Sequence, residues 1–209
     1  MEVTFSHSKT YRYETHNESS ASTKVLFVLH GYGQLVKYFI RKFISLPEDL
    51  LIVAPEGMHR FYRNGNSGRV GASWMTKEAR DQDINDTISY LNAVSHEIDK
   101  KYTIKKRYLL GFSQGGAAAA RWNELSTITF DALILWACVF PPDLPPSEAR
   151  TDKNKYFVIG DQDEFYTVED QQQLTNYYAE KGYQIITYNG THDIVNETLT
   201  EIIRQIERI

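Results

Sequence analysis

From Lys24 onward, short unbroken apolar runs alternate with longer stretches of helical periodicity. The runs are "KVLFVLH" (24–30), "DLLIVAP" (49–55), "KRYLLGF" (106–112), "ALILWACVF" (132–140), "KYFVIG" (155–160) and "YQIITYN" (183–189). A strand with one wet face alternates polar and apolar residues, whereas a strand covered on both faces does not. These runs therefore predict a mostly parallel sheet. Helices expected over 34–46, about 77–100, 114–125, 168–181 and 196–209 would cover both of its faces. Ahead of them, Val3 and Phe5, then Tyr11 and Tyr13, fall at period two. They predict two short antiparallel strands at the sheet edge, with a turn near Ser8 and Lys9. Residues 56–75 read as a long loop rich in Gly, Asn and Arg. No linker, repeat or low-complexity segment interrupts the chain, so residues 1–209 are expected to form one domain.

Composition excludes several functions. The formal net charge is −4 and no basic stripe stands out, which argues against a nucleic-acid partner. One cysteine, Cys138, cannot form an internal disulfide, and its place in an apolar run suits a core residue. No apolar stretch reaches the roughly 18–20 residues of a membrane span, and no signal-peptide pattern opens the chain. A soluble cytoplasmic protein is expected, of undetermined oligomeric state.

In folds of this class the sites lie at the carboxyl ends of the strands. At one such end Gly111-Phe112-Ser113-Gln114-Gly115 fits G-x-S-x-G, with a strand before it and a helix after. A strand that turns at once into a helix crowds its backbone, so glycines flank the serine. The turn also sets Ser113 at a helix N-terminus, which favours developing negative charge. The plainer reading is a glycine-rich turn that binds phosphate, but neither G-x-G-x-x-G nor G-K-[ST] is present.

A nucleophilic serine needs a base, and the base an orienting carboxylate. With this elbow the chain order is serine, carboxylate, histidine. Of His7, His16, His30, His59, His96 and His192, only His192 follows Ser113. The carboxylate should follow the strand 155–160, and in "GDQDEF" both Asp161 and Asp163 qualify by position. Asp161 follows the turn glycine directly and suits a backbone cap. An oxyanion needs donors as well. They are expected from the N–H groups of Gln114 and of Tyr32, in "LHGYGQ", with His30 holding that loop.

Together "LHGYG", "APEG", "LLGFSQGG", "GDQDEF" and "NGTHDI" resemble the α/β-hydrolase superfamily. More narrowly they resemble its lidless phospholipase/carboxylesterase family, which includes acyl-protein thioesterases. The resemblance runs from about Lys24 to the C-terminus. It implies an α/β-hydrolase fold without a large lid domain, with no metal or cofactor. It also implies hydrolysis of small-molecule carboxylic esters or thioesters by Ser113, His192 and a carboxylate. The family's G-x-x-D spacing from Gly160 selects Asp163.

The sequence departs from that family at Trp74-Met75 and in the proline-rich "FPPDLPP". In the 56–75 segment, Phe61, Tyr62 and Trp74 are candidates for a substrate pocket. Arg60, Arg63 and Arg69 either meet an anionic group or form a solvated face. A non-catalytic receptor or scaffold on the same fold stands as the alternative, as does a hydrolase of another bond such as a peptide amide.

Overall fold

A computed structural model describes residues 1, 3–144 and 154–208. Seven strands form the main sheet. They are β1 (Tyr13–His16), β2 (Lys24–Leu29), β3 (Leu50–Pro55), β6 (Lys106–Phe112), β7 (Ala132–Trp136), β8 (Lys155–Gly160) and β9 (Gln184–Tyr188). Their spatial order is β1-β3-β2-β6-β7-β8-β9. All neighbours are parallel except β1, which pairs antiparallel with β3 in the register Tyr13↔Pro55.

The continuous apolar runs are explained by the two cores. Along β2, Val25, Phe27 and Leu29 pack into one and Leu26 and Val28 into the other. The first core lies under α2 (Arg80–Lys101), α3 (Gln114–Leu125) and α4 (Val168–Glu180). The second lies under α1 (Val36–Phe39) and α5 (Asn196–Glu207), whose Leu199, Ile202, Ile203 and Ile206 form one buried stripe. A Thr167–Asp170 capping box starts α4. Acidic Asp81 and Asp83 in the first turn of α2, and Lys100 and Lys101 in its last, complement the helix dipole.

Four expectations are corrected. The N-terminal edge is one strand, not two: no strand forms over Val3–Phe5, where the side chains are exposed. The expected helix 34–46 is a single α-turn, α1, tightening into a 3-10 turn at Ile40–Phe43. Its entry residue Leu35 offers no capping oxygen; the buried Glu56 carboxylate accepts the Val36 N–H instead. The run 132–140 stops pairing at Trp136, because Ala137 turns to φ 50°.

Lastly, the expected loop 56–75 contains a separate hairpin, β4 (His59–Asn64) with β5 (Ser67–Ser73). The sequence carried a signal for it in Gly65-Asn66, the two residues that join the paired Asn64 and Ser67. Gly65 adopts φ 71° at this turn. Of the proline-rich loop 141–150, residues beyond Leu144 lie outside the described residues.

Candidate active site

The elbow at the end of β6 is a strained turn. Ser113 sits at φ 54°, ψ −122°, a region that costs a non-glycine residue free energy and persists only where its surroundings enforce it. They do so here by contact. A Cβ on Gly111 would lie 2.4 Å from the Gly115 carbonyl oxygen, and one on Gly115 would lie 2.2 Å from the Leu29 oxygen. The first glycine lets the helix fold back on its own strand; the second lets α3 press on β2. The Ser113 N–H donates to the Trp136 carbonyl at 2.9 Å, tying the elbow to β7.

His192 and Asp163 meet at neighbouring strand ends. His192 Nδ1 lies 2.7 Å from Asp163 Oδ2, and the Asp163 side chain is fully shielded from solvent. Asp163 Oδ1 accepts the Phe165 N–H at 3.0 Å. The loops that carry the pair are pressed together, since a Cβ on Gly160 would lie 2.2 Å from the Gly190 oxygen. Asp161 occupies a different place: its carboxylate accepts the Gly190 N–H and the Asn189 side-chain amide. The two carboxylates hold different groups: Asp161 caps the β9 loop and Asp163 contacts the imidazole.

The imidazole packs against the tilted rings of Phe112, the residue before the serine, at 4.9 Å and Phe165 at 4.5 Å. Glu164 accepts the His192 backbone N–H at 3.1 Å. Hydrogen bonds from its own loop and from His192 hold the Glu164 carboxyl below its ordinary value. Neither Phe165 nor Glu164 was expected from sequence. Their one signal is position, directly after Asp163.

On the other side of Ser113 lies the loop after β2. A Cβ on Gly31 would lie 3.2 Å from Ser113 Cβ, so this backbone faces the serine. Among the described residues no acceptor takes the Tyr32 N–H. Gln114 opens α3, where its N–H has no intrahelical acceptor. Both candidate donors are thus available.

His30 anchors the loop, as expected. It is fully buried, its Nε2 accepts the Gly57 N–H at 2.9 Å, and its Nδ1 lies 2.8 Å from the Gly31 oxygen. Since Nε2 is an acceptor, Nδ1 carries the proton in this neutral tautomer. Burial lowers its pKa from 6.5 to about 4.

Trp74 requires a correction. It is 1% exposed, its indole N–H donates to the His30 oxygen at 2.8 Å, and its ring packs on the His30 imidazole at 5.0 Å. It supports the loop from beneath and offers substrate no open surface. The side chain of Gln114 completes that support: its oxygen accepts from the Trp74 N–H, and its amide donates to Ser73 Oγ and the Met75 carbonyl.

Phe61 stacks on Tyr32 at 5.0 Å and so flanks the loop. Tyr62, next along β4, is exposed. Arg60 pairs with the buried Glu56, which Arg12 also holds. Burial opposes the Glu56 charge, but the two guanidinium groups keep its carboxyl below the ordinary range. A cleft of about 550 Å³ opens beside Phe165 and Tyr166, walled by Val139, Phe140, Leu174 and Tyr177.

Cys138 is buried against Tyr178, and desolvation pushes its thiol up to about 12. Among the described residues, no His, Cys, Asp and Glu cluster could hold a metal ion, and no helix is long and apolar enough to cross a membrane.

Residues 19–201 match the family described as Serine hydrolase (FSH1). The chain belongs to that family. Solved structures agree on the fold. The carboxylesterase from Mesorhizobium loti superposes with a TM-score of 0.74 at 18% identity, covering 95% of this chain and 94% of that one. Esterase PE8 gives 0.71 at 20% identity, covering 95% and 100%. Zea mays acyl-protein thioesterase 2 gives 0.69 at 15% identity, covering 94% and 98%. No curated protein matches the chain. The α/β-hydrolase expectation is confirmed in this serine hydrolase: a mostly parallel sheet, one antiparallel edge and helices on both faces.

Proposed function

We propose that this serine hydrolase cleaves carboxylic esters or thioesters through an acyl-enzyme formed on Ser113. The observation that carries the reading is the 2.7 Å contact between His192 Nδ1 and the shielded Asp163 carboxylate. A buried carboxylate on one nitrogen fixes the tautomer that leaves the other nitrogen basic. Phe112 packs against the same ring and precedes the serine in the chain.

In the first step His192 Nε2 takes the Ser113 proton as Oγ adds to the substrate carbonyl. The Tyr32 and Gln114 N–H groups receive the oxyanion, and Asp163 stabilises the imidazolium. As the tetrahedral adduct collapses, His192 protonates the leaving alcohol or thiol. Water, deprotonated by His192, then attacks the acyl carbon, and Ser113 leaves with the proton restored. An esterase and an acyl-protein thioesterase of the same fold fit this bond class.

A fluorophosphonate probe should label the native chain and fail to label Ser113→Ala. An unlabelled native chain would refute the nucleophile assignment. Hydrolysis of p-nitrophenyl esters of rising chain length then reports acyl preference, with Ser113→Ala as the blank.

A further inference from the structure

A cavity of about 640 Å³ lies between the start of α1, the loop after β2 and the β4–β5 hairpin. Its charged lining residues are Lys37, Arg63 and Arg69, and no carboxylate faces them. Among the described residues none of the three forms an ion pair. Elsewhere Arg12, Arg60, Arg80, Arg107 and Arg121 each meet an Asp or Glu. Arg63 and Arg69 stand on facing strands, next to the Tyr62↔Val70 pair. Like charges facing each other across a hairpin destabilise it. Three unneutralised cations converge on one concavity in a chain of net charge −4.

The cavity borders the loop that carries Tyr32. A Cβ built on Gly33 would lie 3.6 Å from Arg63 Nε, and Gly33 follows Tyr32 directly. The hairpin is stitched to the same loop, because the Gly33 N–H donates to the Ala72 oxygen at 2.8 Å. Strand order fixes the side. With β6 carrying Ser113, β2 and β3 lie one way, and β8 and β9, with Asp163 and His192, lie the other. The leaving group must depart beside His192, which protonates it. The acid part of the substrate therefore extends away from His192, toward the cationic cavity. Leu35 and Val70 supply apolar wall for an aliphatic link.

We infer that this cavity binds an anionic group, carboxylate or phosphate in type, on the acid part of the ester. The preferred substrates are then half-esters of dicarboxylic acids or their phosphonate analogues. Arg63 and Arg69 are the specificity-determining residues, with Lys37 adding charge. This inference rests on the ester-hydrolase reading above.

The test compares monomethyl and dimethyl esters of glutaric, adipic and suberic acids, which differ by one charge, together with methyl 5-phosphonopentanoate. In the native chain kcat/KM should favour the charged ester at one chain length, and the preference should shrink as KCl rises. Arg63→Gln and Arg69→Gln should each lower the charged-to-neutral ratio about tenfold, as expected for a lost hydrogen bond to a charged group. Arg63→Lys should restore part of it. A phosphonate preference that falls in the same variants supports the site and identifies phosphate as its better ligand. Equal ratios in native chain and variants, with neutral esters still hydrolysed, would overturn the subsite and leave the hydrolase reading standing. If neither ester is cleaved and Ser113 takes no probe, the hydrolase reading fails instead. The subsite is then judged by calorimetric titration with adipate: binding lost in Arg63→Gln upholds it, and no binding to the native chain refutes it.

Discussion

His30 Nε2 accepts the Gly57 amide proton at 2.9 Å, in a pocket closed to solvent. The bond ties the loop after β2 to the segment after β3, and it exists only while the imidazole is neutral. Burial lowers the folded-state pKa to about 4 from an ordinary 6.5. As pH falls below 6.5 the unfolded chain takes up this proton first. The stabilisation is complete above pH 6.5 and is lost progressively as pH falls toward 4, amounting to ~3 kcal/mol. Denaturant unfolding at several pH values should show His30→Gln with a shallower slope across that window. The same slope in both proteins would remove His30 as the cause.

Asp163 and Asp161 stand two residues apart but hold different groups. Asp163→Asn should lower kcat by about 10⁴, because the amide no longer fixes the productive tautomer or stabilises the imidazolium. Asp161→Asn removes only a loop cap and should keep kcat within about threefold, at a stability cost of roughly 1 kcal/mol. Steady-state kinetics on a p-nitrophenyl ester separates the two, and equal losses would count against the assignment.

Gly115 and Gly65 are both turn-associated, yet for different reasons. A methyl on Gly115 would lie 2.2 Å from a backbone oxygen of β2, which cannot yield without moving the sheet. A methyl on Gly65 meets nothing within 4 Å and faces only the cost of φ 71°. Thermal melts should show Gly65→Ala losing about 1–2 kcal/mol. Gly115→Ala should lose roughly 3 kcal/mol or more, or fail to fold.

Cys138, its thiol pushed up by burial to about 12, should resist iodoacetamide at pH 8 in the folded protein and react in denaturant. Rapid labelling of the native chain would show that the core around Tyr178 opens more readily than its packing implies.

Much of the fold was legible because burial on both faces leaves a direct trace in the sequence. The runs at 24–29, 50–55, 106–112 and 155–160 became strands, and α3, α4 and α5 fell where helical periodicity put them. The failures at Val3–Phe5 and 34–46 came despite a periodic signal, because spacing along the chain does not fix what a segment packs against. α1 tightened after one turn, its N-terminus capped by a carboxylate 20 residues away. The β4–β5 hairpin was obscured by charged residues, since an exposed ribbon gains little from apolar alternation.

Within the candidate site, the motif and chain order pointed to Ser113 and His192, and to the loops of Tyr32 and Gln114 as candidate donors. That was possible because the elbow demands glycines at set offsets and the triad demands an order. Spacing alone left Asp161 and Asp163 level. The tertiary structure separated them, because which carboxylate reaches the imidazole depends on how tightly the β8 and β9 loops pack through Gly160 and Gly190. It also moved Trp74 from a pocket wall to a buried support. And it gathered Lys37, Arg63 and Arg69, which come from a helix and two strands, into one cavity. Sequence by itself determined which residue types were available at the strand ends. Only the folded chain decided which of them touch, because burial and strand order act between residues far apart along it.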